Sequence, residues 1–419
     1  MASALYTIVK KIVRTGSLKL TLASGDTHVF GDGSGPLVAV RVADQQAEDA
    51  IGRDPTLKLG EMYMDGRFIL EEGDIYDFLS LVKRNTTNEI FDVRMAALLV
   101  GRIAIQQLKS RMPINRNKHN VAHHYDLSAK LFDLFLDEDW QYSCAYFVPP
   151  GIGLDEAQLA KKRHIAAKLQ VEPGQKVLEI GSGWGGMGMY LAESEPSIDF
   201  TGITLSEEQL KISRERAAKR GLSDRVRFEL QDYRYMTGQK FDRIVSVGMF
   251  EHVGIGNYDK FFRKVAELLD DNGVMVLHSI GRPKPSFATN AFIEKYIFPG
   301  GYIPSVGETL PPLEKAGLLV KDVEILPMHY AHTLRHWRQR FVARKEEAVA
   351  LYDERFFRMW EFYLAGSEMG FRWDELFIFQ IQLSKNQFAV PDHRNYIEER
   401  EAKLKEFEAT RTPLEKILF

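Results

Sequence analysis

From residue 155 onward, short and almost unbroken apolar runs alternate with stretches of helical period. The runs 175–180, 198–203, 225–230, 241–247 and 273–279 fit strands covered on both faces, which have no solvent side on which to carry polar residues. Between them lie the helical patterns 155–169, 185–193, 206–220 and 257–269. Ser206 and Gln209 predict a capping box on the third helix, and Gly221 its end. Polar residues gather after the strands: Thr204, Gln231 and Asp232, Glu251 and His252, and His278. Such alternation requires an α/β, doubly wound, Rossmann-like sheet with a ligand crevice at the carboxyl ends of its strands. Further on, 285–298 reads as a helix, 299–305 as a turn, 333–365 as an aromatic-rich helical stretch and 375–384 as a last strand.

The amino-terminal part has another texture. Leu5, Ile8, Val9 and Ile12 share one face of a helix over 4–15, with Lys10, Lys11 and Arg14 elsewhere. Capping a small domain and lying in a membrane interface are both open to it. Residues 17–42 alternate around Gly25-Asp26 and Gly31–Gly35, which predicts a short antiparallel meander. Residues 44–60 are mixed, and 75–82 and 89–109 are helical. Pro113 and the run Asn115-Arg116-Asn117-Lys118 read as a linker. The expected organisation is a smaller mixed amino-terminal domain over 1–112, a linker and helical lid over 113–150, an α/β domain over 151–391, and an exposed carboxy-terminal helix over 392–419.

A chain of 419 residues is too long for one ordinary core. Its net charge of -3 gives no global case for nucleic-acid binding. The single cysteine, Cys144, excludes an internal disulfide framework and a cysteine-rich zinc site, and suits a reducing cytoplasm. No apolar run approaches the roughly 20 residues that span a bilayer. His119, His123 and His124 invite a metal, but they lack the H-E-x-x-H spacing, and no ligand set completes a site. A structural or substrate-gating segment is the better reading, and no metal is expected.

The chemistry centres on Val177-Leu178-Glu179-Ile180-Gly181-Ser182-Gly183-Trp184-Gly185-Gly186. Gly181, Gly183 and Gly186 satisfy the G-x-G-x-x-G spacing of a dinucleotide site. The acid directly before the turn instead makes the E-x-G-x-G pattern of S-adenosylmethionine (SAM) methyltransferases; a plain glycine turn is the third possibility. The second strand ends in Thr204-Leu205, where a ribose-binding carboxylate is usual, and Gln209 would serve in its place. Asp232 is placed to accept from an adenine amino group. Glu251, His252 and His278 border one crevice, as a general base or an anion site would. Cys144, among aromatic residues, is a nucleophile or a small buried hydrophobe.

These motifs resemble those of the cyclopropane-fatty-acid and mycolic acid cyclopropane synthases. The resemblance rests on 177–186, His124-Tyr125-Asp126-Leu127, Gln141–Tyr146, Gln231–Arg234, Arg243–Val253, Leu277–Gly281 and Phe298–Gly301, and runs from about 119 to 385. Gly60–Gly66 resembles the amino-terminal domain of the longer bacterial members. The resemblance implies methylene transfer from SAM to the cis double bond of an unsaturated acyl chain in phospholipid, with bicarbonate as base. It implies SAM contacts from Tyr142, Ser143, Gly181, Gly183, Thr204, Leu205, Gln209, Gln231, Asp232 and Tyr233. It implies an anion held by the Cys144 region, Glu251, His278, the Ile280 backbone and Tyr330. Methylene- or methyl-branched products are an outcome open to the same residues. Tyr296, Phe298, Trp337, Phe356, Phe357, Trp360 and Phe371 would wall the acyl cavity or pack as ordinary core. The expected setting is cytoplasmic, peripheral at the inner membrane face, with a homodimer as one assembly open to the chain.

Overall fold

The computed structural model describes residues 3–86, 127–285 and 289–410. The expected helix 89–109, the linker at 113–118 and the histidines at 119–124 lie outside the described residues. The chain forms two compact units, one drawn from 1–109, 287–297 and 334–375, the other from 110–286, 298–333 and 376–419. Two segments expected inside the 151–391 domain, 287–297 and 334–375, therefore belong with the amino-terminal unit. Their aromatic residues carry the reason: Phe362 on helix Glu354–Trp373 and Phe292 pack within that unit, with ring centroids 4.7 Å apart, and Gly60 leaves room for both.

The amino-terminal unit carries a four-stranded sheet of β1 (Ser17–Thr21), β2 (Thr27–Phe30), β3 (Leu37–Val42) and β4 (Phe68–Glu72), in the order β2-β1-β3-β4. The meander expected over 17–42 is only half correct. β1 and β2 form a hairpin, but β3 lies on the far side of β1 and runs parallel to it. The alternating pattern fixes which residues face the core and is silent about which neighbour a strand takes. Residues 44–60 resolve into helices Gln45–Arg53 and Pro55–Met64. In helix Ala4–Ile12, Leu5 is buried, and Val9 and Ile12 pack on the same core, so its apolar face is spent inside the unit. The capping reading of that helix is the one the structure supports.

The second unit is built on β5 (Lys176–Ile180), β6 (Asp199–Thr204), β7 (Val226–Leu230), β8 (Phe241–Val247), β9 (Leu269–Gly281), β10 (Leu319–Leu326) and β11 (Phe377–Ser384), in the order β10-β11-β9-β8-β5-β6-β7. β5 to β9 are parallel, and β11 runs antiparallel to both of its neighbours. The order reverses between β5 and β8, the switch point at which such sheets open a crevice. One face packs Phe250, Tyr258, Phe261 and Phe262, and the other Met189, Tyr190, Phe200 and Phe228. The expected doubly wound α/β class is the observed one.

Two elements escape the pattern. β10 is an edge strand whose Lys321, Asp322 and Glu324 interrupt its apolar run. Helix Val306–Lys315 contains Pro311 and Pro312, although Ser305 and Glu308 start it with a capping box. Two expectations need correcting. At Ser206 only half of the capping box forms, because Gln209 accepts from the Thr204 hydroxyl (2.9 Å) instead of reaching back to the Ser206 amide. The carboxy-terminal helix, Tyr396–Thr410, is not simply exposed, since Tyr396 and Ile397 are buried and Glu401 bonds His164 at 2.7 Å.

Candidate active site

Strand β5 delivers the chain into a turn that only glycine accepts comfortably. Gly181 has φ +86°, and a Cβ there would lie 2.8 Å from Met249 Cβ. The amides of Gly181 and Ser182 both donate to Ile203 O, at 3.0 and 2.9 Å, which ties the turn to β6. Helix Gly186–Ser194 follows, and the protein itself covers its amino terminus. A Cβ on Gly186 would meet Gln141 Nε2 at 2.1 Å and Asp139 Oδ2 at 2.7 Å. A dinucleotide's pyrophosphate needs that same place on the helix dipole. A protein carboxylate already lies there, so the dinucleotide alternative loses its central contact.

A cleft opens over the turn. Tyr142, Ser143, Gly181, Gly183, Thr204, Leu205, Gln209, Gln231, Asp232 and Tyr233 all line it, together with Glu179, Met249 and His252. The structure thus brings every expected SAM-contact residue into one concavity. Asp232 caps the short turn Tyr233–Tyr235 and pairs with Arg234, whose Nε lies 2.9 Å from Oδ1. Glu179 is the acid of the E-x-G-x-G pattern. It is buried, its Oε2 has no partner, and burial pushes its carboxyl up to about 8 against the opposing pull of Lys161. A cationic ligand would relieve that cost, whereas an anionic one would add to it. SAM, with its sulfonium and ammonium groups, fits this floor.

Beside the cleft, the turn after β8 carries Glu251 between Met249 and His252. Glu251 Oε1 accepts from the Ile280 amide at 2.7 Å, and its buried Oε2 has no partner. Burial raises its carboxyl above the ordinary value, and the Ile280 hydrogen bond opposes this without prevailing. His278 stands two residues before Ile280 on β9, opposite Gln380 of β11. Gln380 Nε2 donates to His278 Nδ1 at 3.2 Å, which leaves the proton of the neutral ring on Nε2, again buried and unpartnered. Burial lowers the imidazole to about 3, with nearby lysines adding to the effect, so the ring stays neutral across the physiological range. His252 is also lowered, to about 4, by burial. A carboxyl that burial biases toward its neutral form and a neutral ring N–H, each with a buried atom left over, are groups suited to a small anion. Among the described residues, no group of three His, Cys, Asp or Glu side chains is placed to hold a metal ion.

Of the remaining expected residues, Cys144 and Tyr330 lie on segments tied to each other, and one residue needs revision. Cys144 is buried, its Sγ lies 3.2 Å from Ala145 O, and burial pushes the thiol up. Such a thiol is not a poised nucleophile. Tyr330 is half-buried in the first turn of helix His329–Ala343. That turn grips the cysteine segment: Thr333 Oγ1 accepts from the Ala145 amide (3.0 Å), and His329 Nδ1 from the Phe147 amide (3.0 Å). The revision concerns Ile280, whose amide is engaged by Glu251 and so orients the carboxyl. The sequence reading missed Thr333, His329, and Gln158 with Lys161 on helix Leu154–Leu169. Two polar side chains three apart on a helix covered on nearly every side were the available signal.

The model of the family described as mycolic acid cyclopropane synthetase matches residues 113–381. The chain belongs to that family. Its members are SAM-dependent methyltransferases, and the chain is an enzyme of that class. The cyclopropane-fatty-acyl-phospholipid synthase of Escherichia coli K12 is 37% identical over 354 residues, covering 84% of this chain and 89% of that protein. The tuberculostearic acid methyltransferase UfaA1 of Mycobacterium tuberculosis is 34% identical over 400 residues, covering 91% of both. Among solved structures, the mycolic acid cyclopropane synthase CmaA1 complexed with SAH and CTAB is similar with a TM-score of 0.60 and 36% identity, over 64% of this chain and 97% of that one.

Proposed function

We propose that this chain forms a cyclopropane ring on the cis double bond of an unsaturated acyl chain in phospholipid, using the methyl carbon of SAM. The observation that carries the reading is the pair of unpartnered buried atoms, Glu251 Oε2 and His278 Nε2, beside the glycine cleft. SAM bound in the cleft supplies an electrophilic methyl group.

An isolated alkene is a weak nucleophile, so holding it at near-attack distance does much of the work. Forming the first carbon–carbon bond leaves a cation on the acyl chain. Loss of a proton from the new methyl group lets the second bond close the ring. Until then water must be kept out, and the buried surroundings of Glu251 and His278 serve that end. Together with Tyr330 and the Cys144 backbone, as the family resemblance implies, these two groups would hold bicarbonate, which would supply a proton acceptor and a stabilising negative charge. Ile280 holds Glu251 in register for that task.

A second reading is favoured by one observation: a relative that covers 91% of this chain is named a tuberculostearic acid methyltransferase. The same cation can lose a different proton and give a methylene-branched chain or a methyl-branched alkene; a saturated methyl branch needs a hydride reductant in addition. Methylene and cyclopropane products have equal mass, so proton NMR decides between them. Incubation with SAM and vesicles of unsaturated phospholipid is expected to give ring protons upfield of the methyl region. Olefinic methylene protons would establish the second reading, and no lipid product heavier by one carbon would overturn both. A phospholipid substrate places the enzyme peripherally at the cytoplasmic membrane face. The exposed Lys10, Lys11 and Arg14 of the amino-terminal unit are the groups we assign to an anionic surface. Unchanged co-sedimentation with anionic vesicles after charge removal there would refute that assignment.

A further inference from the structure

Lys161 is a fully buried lysine whose ammonium ends on the wall of the cleft. It donates to Gln141 Oε1 and to Ser143 Oγ, both at 2.8 Å. One turn earlier on the same helix, Gln158 Nε2 donates to the carbonyls of Gln141 (3.1 Å) and Ser143 (2.9 Å). The Gln158 bonds hold the Gln141–Tyr142 and Ser143–Cys144 peptides, and the Lys161 bonds hold the two side chains on either side of Tyr142. From the other side Thr333 and His329 take the amides of Ala145 and Phe147. A segment without regular secondary structure is thereby held from end to end by side chains.

The charge on Lys161 acts over the same ground. It opposes the burial-driven rise of Glu179 and of Cys144, and it adds to the lowering of His278. The groups that act on Lys161 are Asp137 and Asp139, Lys162 and Cys144. Burial lowers it to about 8, with Asp137 opposing. A lysine seldom loses its hydration unless its position is used.

We propose that Lys161 is a positioning residue of the transfer reaction: with Gln158 it fixes the Tyr142–Cys144 segment, so that the donor cleft and the Glu251–His278 site keep one relative geometry. The inference rests on the reading under Proposed function for its turnover arm only.

Two measurements test it on the full-length enzyme. Calorimetric binding of S-adenosylhomocysteine needs no turnover. Lys161→Met is expected to weaken it about tenfold, the effect of losing roughly 1.4 kcal/mol of ordering. Lys161→Arg, which keeps the cation, should restore most of that affinity. In turnover with unsaturated phospholipid vesicles, the wild-type rate should fall as pH rises through about 8, where Lys161 loses its proton. Lys161→Arg should move that limb upward. Lys161→Met should cut kcat about 10²-fold, as misplacement by an ångström does. If wild type binds S-adenosylhomocysteine but turns over no lipid, the functional reading fails and the binding arm still decides the positioning role. Unchanged affinity in a folded Lys161→Met overturns the proposal. Should that variant not fold, unchanged affinity in a folded Gln158→Ala, which frees the Gln141 and Ser143 carbonyls, overturns it instead.

Discussion

Two buried polar regions flank the cleft and obey opposite rules. Around Asp139, Lys162, Arg216 and Arg220 converge on one carboxylate, with the Arg220 contact at 2.8 Å. Burial alone would raise that carboxyl, but the three cations hold it well below the usual range. Glu251 is equally buried, yet it has a single amide partner and one bare oxygen, and its carboxyl rises. The first region is electrically closed: its charges answer one another, and it fixes the cover over helix Gly186–Ser194. The second is electrically open, which costs stability unless something else arrives to complete it. That cost is the ground on which we propose it as the place where chemistry happens.

The largest effect should come from the open region. Glu251→Gln is expected to lower kcat about 10³-fold, within the range of a lost acid–base group, with S-adenosylhomocysteine affinity within about threefold of wild type. Stability should move the other way. A carboxyl whose folded pKa is raised favours the folded state at low pH, and that advantage is lost as pH climbs from the ordinary carboxylate range up through the raised value. The glutamine removes this loss, so urea unfolding at pH 8 should show a variant at least as stable as wild type. A marked destabilisation would mean that Glu251 is a structural anchor and that the contrast with Asp139 is false.

The closed region should show the converse. Asp139→Asn leaves the buried Lys162 and Arg216 without their ion-pair carboxylate, while Arg220 keeps Glu193 at 3.4 Å, and is expected to cost about 3–5 kcal/mol in denaturant unfolding. The wild-type contribution has the sign of a depressed carboxylate, present above the ordinary pKa and fading as pH falls below it. A loss under about 1 kcal/mol would show that the cations do not depend on Asp139.

How much of this was legible follows from the range over which each feature is specified. β5, β6 and β8 announced themselves because a strand buried on both faces writes itself as an apolar run, and Gly181 because no other residue suits φ +86°. Thr204, Gln231 and Asp232 could be set in one cleft because strand ends share one edge of a parallel sheet, whereas Tyr142 was reached only through the family resemblance. β10 was not legible, since an edge strand can carry Asp322 and Glu324 in mid-run when Lys168 on a distant helix answers them. Nor could the sequence disclose Lys161 or Thr333, whose roles depend on contacts with residues 18 and 188 positions away. The chain division failed for the same reason. Helix Glu354–Trp373 reads like any amphipathic helix, and its packing against helices Ile75–Asn85 and Pro55–Met64 is written nowhere locally.

The smallest expected effect is at Cys144, whose backbone we assign to the open region. Its thiol is buried and pushed up, so at working pH it is neutral and unreactive. Its segment is held by Gln158 and Lys161 on one side and by Thr333 on the other, mainly through its neighbours' groups, with only a long 4.0 Å contact from Thr333 Oγ1 to the sulfur itself. If residue 144 contributes only its backbone, Cys144→Ala should keep turnover within about threefold and lose about 1 kcal/mol of stability from the small cavity. A thiol nucleophile would instead lose nearly all activity on the same change. Product formation by the alanine variant, measured beside wild type with and without iodoacetamide, separates the two. A resistant wild type and an active variant would place the chemistry wholly with Glu251 and His278. An inactive but folded variant would move it to the sulfur, and the open region would then be a structural defect tolerated for some other reason.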